Sequence, residues 1–434
     1  MTTADLDAFL LEDGYVLTLD DDDTRGPLSI AIEAGVVTAI GPRRDLRRRF
    51  AGAHRIACRG RIVMPGLVNA HLHPDLHVLK GTLEERGLHD WSGAGFYNDA
   101  VTFLGSEAGS EMLRDSVRAA VAECALNGTT TIGTYGVTTG SEHACDDALA
   151  GMGVHGTITV RDVAFPPFSA PSGRAHFYRL HAEETLYEPE LAAASAAHAR
   201  GARIVMHAAE TQHRVDIARR RFGMSTIRLL AHHRLLSPRM LLSHAVHVDD
   251  DEVALIAQAG AAVVVSPAAE MKLGDGVPPV PALLARGATV AIGTDAAVCN
   301  NASDMFLEMR LLGLSQKLRW GPDALPAEQI LRLATRHGAA ALGDPAGGCI
   351  AEGRAADIIL VDATGPRLQP LVLDGPGTNV AANLVYAATG SDVTDVMVGG
   401  RWIVRRRRLR VADAPRLWRR LARHATHLDN HLRM

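Results

Sequence analysis

Lysine is nearly missing from this chain: three residues, Lys80, Lys272 and Lys317, stand against 42 arginines, a bias of the encoding genome. Cysteine is also scarce. Cys58, Cys124, Cys145, Cys299 and Cys349 are odd in number, scattered and never in Cys-x-x-Cys spacing. That excludes a disulfide framework or a cysteine zinc site and fits reduced cytosolic thiols. No apolar run reaches the roughly 18 residues that a membrane-spanning helix needs. The acidic stretch Met1–Asp7 lacks the layout of a secretory leader, so the expectation is a cytoplasmic protein. A formal net charge of −4 leaves no basic excess, which argues against a nucleic-acid binder. The chain does have 434 residues, 47% of them hydrophobic and 22% charged, enough for a large core. It also has 20 histidines, the commonest metal ligands and acid–base groups near neutral pH.

The hydrophobic pattern changes twice. The first 65 residues read as β: Ala8–Leu19, then Leu28–Ile40 split by Glu33-Ala34-Gly35, then Ile56–Met64. From Leu67 short β runs alternate with helical patterns. Eight strands are predicted, at Leu67–His73, Thr129–Tyr135, Val154–Val163, Phe177–Ala182, Arg203–Ala208, Met240–His244, Ala261–Ser266 and Thr289–Thr294. Helices are predicted at Glu111–Leu126, Pro189–Arg200, Arg214–His232, Asp250–Ala259, Pro279–Arg286 and Ser303–Leu318. Eight β-α units in register predict an α/β fold, a (β/α)₈ TIM barrel. Between the third and fourth strands lies only Ala164 to His176, with three prolines, which is short for a crossover helix. After a helix at Ala327–Leu342, β texture returns at Ala356–Val361, Val393–Val398 and Trp402–Val404. The predicted division is 1–66 and 345–412 as a flanking β-sandwich built from both chain ends, 67–344 as the barrel, and 413–434 as a basic terminal helix. Arg405–Arg408 reads as a solvated strand end.

The chemistry-bearing residues sit where predicted strands end. His71 and His73, two apart on a strand, point to the same side. At the C-terminal end of barrel strand one they would face the barrel mouth, where barrel active sites lie, and the pair suits a divalent metal. Strand five runs into His207 and Glu210, strand six ends on His244, and strand eight leads to Asp295. Each is a metal ligand or proton-transfer group at a strand end.

Pro65-Gly-Leu-Val-Asn-Ala-His-Leu-His73, His207-Ala-Ala-Glu210, Ser243-His-Ala-Val-His247 and Gly293-Thr-Asp-Ala-Ala-Val-Cys-Asn-Asn301 together resemble the amidohydrolase superfamily. The likeness is to the branch of S-adenosylhomocysteine/methylthioadenosine deaminases and triazine hydrolases. Met271-Lys-Leu273 with Val277-Pro-Pro-Val-Pro281, Asp304–Arg310 and Glu352–Asp362 extend it over nearly the whole chain. The resemblance implies that His71, His73, His207 and Asp295 bind one divalent metal ion, Zn²⁺ or Fe²⁺. It implies that Glu210 and His244 transfer protons and that Asp295 takes the water proton while holding the metal. A zinc-bound water has its pKa lowered towards ~7. Members with two metals usually bridge them with a carboxylated lysine; no lysine stands between 80 and 272, so a second metal is not expected.

The implied activity is hydrolytic deamination of an aminopurine-like or nucleoside-like heterocycle, with ammonia released. Displacing chloride or an alkylamine from a triazine-like ring would use the same metal site. A barrel that has lost catalysis and serves as a scaffold is the alternative of another class, and the intact ligand set argues against it. Expected partners are a small heterocyclic substrate and further copies of the chain, as a dimer or tetramer, with neither nucleic acid nor membrane.

Substrate contacts are less sharply marked. His181 resembles the branch's substrate-contacting histidine, though its loop departs from the usual Pro-His-Ala-x-Tyr-Thr; a strand-end cap is the other reading. Arg161 stands where relatives can place an anion- or ribose-binding arginine, or is a surface residue. Trp91 with Phe96 and Tyr97 forms either an aromatic lid or ordinary loop packing. Past Trp91 the first loop offers only Asp99 as a ribose-gripping carboxylate. Glu270 replaces a usual Asn, bringing a carboxylate beside the pocket, and Cys299 replaces a Ser, a poorer hydrogen-bond donor. With the segment between strands three and four cut short as well, methylthioadenosine and S-adenosylhomocysteine are expected to be poor substrates.

Overall fold

The computed structural model describes residues 8–93, 95–160 and 174–432. Its centre is a run of parallel strands laid side by side in chain order: Leu67–His73 (β1), Thr129–Thr134 (β2), His155–Val160 (β3), His176–Arg179 (β4), Arg203–Ala208 (β5), Met240–His244 (β6), Ala262–Val265 (β7) and Thr289–Ile292 (β8). Each lies within a few residues of its predicted position. The ring closes through a handover. Gly293 N–H still donates to Val265 O of β7 (2.9 Å), Thr294 N–H donates to His71 O of β1 (3.0 Å), and Asp295–Ala296 then pairs in parallel with Leu72 and His73. Gly293 permits this: a Cβ there would lie 2.6–2.8 Å from atoms of His71.

Side chains divide between the two strand faces, as the period of two requires. Val68, Phe177, Val205, Leu241, Val264 and Ala291 fill the barrel interior, with Ala339, Ala341 and Leu342. Ile204, Met206, Leu242, Val263, Val265, Val290 and Ile292 pack outward in one core with Leu191, Ile227, Leu230, Val253, Ile256 and Leu283 of the helical layer.

Strands from both chain ends form two further sheets. One joins Val36–Gly41, Ser29–Glu33, Phe9–Glu12 and His54–Ala57; the other joins Arg408–Leu409, Arg401–Arg405, Val393–Val398, Ile358–Asp362, Arg61–Pro65, Tyr15–Leu17 and Arg25–Gly26. Leu11, Ile30 and Val37 from the first and Val63, Ile358 and Leu360 from the second share one core. Two predicted single strands prove to be pairs. Ile56–Met64 and Ala8–Leu19 each turn a corner from one sheet into the other, at Gly60 (φ 72°) and Asp13 (φ 63°), so each run serves both sheets.

The helices need two corrections. The continuous pattern Arg214–His232 is two helices, Gln212–Phe222 and Thr226–His232, parted where Gly223 adopts φ 74°. The pattern Ala327–Leu342 contains a π-helical stretch at Leu333–His337. A helix the periodicity did not single out, Ser141–Met152, links β2 to β3. Arg161 and the 164–173 stretch, where the absence of a long crossover helix was predicted, lie outside the described residues. Among the described residues no helix is long and apolar enough to cross a membrane.

Candidate functional site

The C-terminal ends of β1, β5, β6 and β8 converge on one cluster. The pairing of β1 with β2 shifts register between Asn69 and Leu72, and His71 and His73 both face His207 of β5, with ring centroids 5.0 and 5.2 Å away. His73 Nε2 lies 3.2 Å from His207 Nε2 and 3.2 Å from Asp295 Oδ1; His71 Nε2 lies 3.6 Å from the same oxygen. Asn69 holds the closing strand in place, donating to Thr294 Oγ1 (2.7 Å) and accepting from Thr294 N–H (3.0 Å). Ala209, His244, Ala245 and Asp295 all have left-handed backbone, φ 49–76°. Such strain in non-glycine residues gathers where a site over-determines the chain.

These residues fit a divalent metal. Ligand atoms ~2 Å from one ion stand roughly 3–4 Å apart, which is the spacing found. His71 Nε2 is buried and has no hydrogen-bond partner among the described residues, a cost that an ion would remove. Two of the three remote nitrogens have partners that favour the required tautomer: His207 Nδ1 is 3.2 Å from His181 O, and His71 Nδ1 is 3.3 Å from Ser243 Oγ, while His73 Nδ1 has none among the described residues. Burial, reinforced by His73, holds the His71 pKa well below the ordinary imidazole range, and burial with His71 and His73 does the same for His207. Both therefore present neutral nitrogens. Burial alone would raise Asp295; the hydrogen bond and charge of His73 outweigh it and keep the carboxylate ionised.

Glu210 and His244 stand beside this cluster, both buried, with His244 Nε2 3.7 Å from Glu210 Oε1. Burial would lower the His244 pKa, but Glu210 and Glu270 push it up to about 10. The other Glu210 oxygen accepts from Arg214, one turn along the helix that follows β5. Arg214 Nε also donates to both oxygens of Glu184, at 2.8 and 3.0 Å. Neither Arg214 nor Glu184 was singled out from the sequence. The signal available was the departure of the His181–Thr185 loop from its family pattern, which puts a carboxylate, Glu184, where a Tyr is usual.

A cavity of about 390 Å³ opens above the cluster. His73, His207, Glu210 and Asp295 form part of its wall, with His181, Cys299, Tyr97, Glu184 and Arg214. Cys299 Sγ lies 3.2 Å from Ala296 O. Glu270 is not on this wall. It is buried behind His244, with Oε1 3.3 Å from His244 Nδ1 and 2.8 Å from the Ser266 N–H. Its strand-seven helix turns it towards the imidazole, so its charge acts on His244. Of the first loop, Tyr97 and Asn98 line the cavity and Asp99 does not. Trp91 falls in the helix Leu88–Ser92, and its side chain, like Arg161, lies outside what is described.

Comparison with known proteins agrees with this geometry. The model of the amidohydrolase family matches residues 62–403. A 5-methylthioadenosine/S-adenosylhomocysteine deaminase of Nitratidesulfovibrio vulgaris is 33% identical, over 90% of each chain. A 5'-deoxyadenosine deaminase of Methanosarcina mazei is 31% identical over 93% of this chain and 94% of its own. Among solved structures, an adenosine deaminase from Xanthomonas campestris with bound zinc superposes with a TM-score of 0.88 at 27% identity, covering 97% of this chain and 98% of that one. A zinc-complexed atrazine chlorohydrolase from Arthrobacter aurescens shares the fold, with a TM-score of 0.83 at 24% identity over 96% and 100%. With a family model that matches residues 62–403 and so takes in every strand of the barrel, the chain belongs to the amidohydrolase family.

Proposed function

We propose that this chain is a hydrolytic deaminase that releases ammonia from an amino-substituted, nucleoside-like nitrogen heterocycle, with one divalent metal, zinc, held by His71, His73, His207 and Asp295. The observation that carries the reading is the meeting of those four side chains with Glu210 and His244 in one buried cluster, of which His73, His207, Glu210 and Asp295 reach the wall of the cavity. The deaminases among its relatives support the choice of reaction.

A metal bound there supplies Lewis acidity that makes a water nucleophilic near neutral pH. The chain's residues do the rest. Asp295 accepts the proton of the attacking water as its oxygen adds to the aminated ring carbon. Glu210 delivers a proton to the adjacent ring nitrogen, so the carbon becomes tetrahedral without charge building on the ring. His244, held by Glu270 on one nitrogen, turns the other towards Glu210 and stabilises the negative charge on the incoming oxygen. Asp295 then passes its proton to the exocyclic nitrogen, ammonia leaves as the carbonyl forms, and the remaining hydroxyl proton restores Glu210.

The same reading takes the division 1–66 and 345–412, 67–344, and 413–434 as that of the domains, and a homo-oligomer in the cytoplasm as the working form. The exposed Leu314 and Leu318, one turn apart on Met305–Trp320, support assembly. Methylthioadenosine and S-adenosylhomocysteine are expected to be poorer substrates than a nucleoside without their tails, because the connection of strands three and four is short. A screen for ammonia release across purines, pterins, pyrimidines and triazines, with metal analysis of the same preparation, tests the proposal. About one zinc per chain with release from at least one ring is expected; metal-replete protein that releases ammonia from none of them overturns it.

A further inference from the structure

The cavity wall next to Glu210 has a charge pattern that the deamination chemistry does not use. Arg214 is buried between two carboxylates, with Nη1 on Glu210 and Nε on Glu184. Glu210 also has His244 beside its other oxygen, 3.7 Å away, whereas Glu184 has Arg214 as its charged partner. The two acids differ in access. Glu210 is buried at the floor, while about a third of the Glu184 side chain remains accessible. Arg214 engages both Glu184 oxygens through a single nitrogen, which leaves lone pairs of each unused. Among the described residues the other basic group within 4 Å of the Glu184 carboxylate is His89 of the first loop, 3.8 Å from Oε1 and committed to Thr211 Oγ1 through its other nitrogen at 2.9 Å. Burial, helped by His213 and Arg214, lowers the His89 pKa, so it brings no charge near neutral pH.

An ionised, pre-oriented acceptor at the side of a substrate cavity recognises hydrogen-bond donors on the ligand. Among its described residues the first loop brings Tyr97 and Asn98 to the cavity but no carboxylate. We infer that Glu184, held in place by Arg214, is the specificity-determining group for a hydroxylated substituent on the heterocycle, accepting hydrogen bonds from a vicinal diol such as a ribose carries. This rests on the nucleoside-like reading above and names the residue that would distinguish a nucleoside from its free base. Arg214 acts as a positioning residue: it fixes Glu184 and Glu210 relative to one another, so the grip on the substituent and the proton donor share one support.

The test uses zinc-loaded full-length protein and two probes with no amine to lose, inosine and hypoxanthine, measured by equilibrium titration. Wild type is expected to bind inosine more tightly than hypoxanthine, and E184Q is expected to shrink that ratio about 10–100-fold, the worth of hydrogen bonds to a charged acceptor. E184D, which draws the carboxylate back by one methylene, gives the same reading if E184Q does not fold. Inosine bound no better than hypoxanthine by wild type, or a ratio that the variants leave within twofold, overturns the inference. Failure of the deamination reading looks different: the inosine preference and its loss in E184Q persist while no aminated ring yields ammonia.

Discussion

Glu270 Oε1 lies 3.3 Å from His244 Nδ1 while also accepting the Ser266 N–H at 2.8 Å, so one buried oxygen orients the imidazole and is itself anchored by the backbone. An amide at this position would keep the backbone contact and lose the charge. Glu270→Gln is expected to lower kcat about 10–100-fold, in line with the ~1.5–3 kcal/mol of a hydrogen bond to a charged group. Zinc content measured on the same sample should be unchanged. Wild-type turnover in this variant would show that His244 needs no carboxylate behind it.

Metal binding and proton transfer should separate by mutation. His71→Ala removes a nitrogen with no hydrogen-bond partner among the described residues, and it is expected to lose metal and activity together. Glu210→Gln is expected to retain metal and lose on the order of 10²–10⁴ in kcat. Elemental analysis paired with initial rates decides; a Glu210→Gln enzyme that lost its metal would move Glu210 into the ligand set.

Acid stability should depend on Glu123. Burial alone would raise this carboxyl, but hydrogen bonds from His77 Nε2 (3.2 Å) and Lys80 Nζ (2.6 Å) hold it down to about 2. A folded-state pKa below the unfolded one stabilises the protein above the unfolded value. The contribution, roughly 3 kcal/mol at most, is therefore full above about pH 4.5 and is lost as pH falls towards 2. Glu123→Gln should lower Tm at pH 7 and flatten the dependence of Tm on pH across that window. Parallel Tm–pH curves for the two proteins would contradict this.

Substrate length is the fourth test. Methylthioadenosine is expected to fall below a kcat/KM of ~10⁵ M⁻¹s⁻¹ and below a nucleoside without the thioether. Steady-state rates on the pair decide it, and a higher value for methylthioadenosine would return the chain to the activity named for the methylthioadenosine deaminases among its relatives.

Most of this architecture was legible because its signals are local. A barrel strand is a short apolar run, and a His or Asp beside that run marks its end, so β1, β5, β6 and β8 could be placed together with the side chains that meet at their ends. What could not be read depended on direction or on distant partners. Glu270 lies on the turn after β7, and sequence position alone puts it beside the pocket; only the helix Pro267–Lys272 shows that it points at His244 instead. Arg214 belongs to a helix whose exposed face is rich in arginine, and in an arginine-rich chain nothing local marks the one that is buried between Glu184 and Glu210. The sheet-switching corners at Asp13 and Gly60 were invisible for a similar reason. Both flanking runs are extended, and a bend between two extended stretches leaves the hydrophobic pattern almost unchanged.

The handover at Gly293 and Thr294 puts the last seam of the cylinder and the proposed metal ligands in the same few residues. Asp295 lies on one side of that seam, and His71 and His73 on the other. An ion gripping all three is therefore a clasp as well as a reagent: it ties the end of the barrel to its beginning across a junction otherwise held by few backbone hydrogen bonds. Loading the enzyme and completing its wall become a single event. Amide protons around Thr294 and Ala296 should then exchange faster when a chelator has taken the metal, while those of β5 to β7 keep their pace.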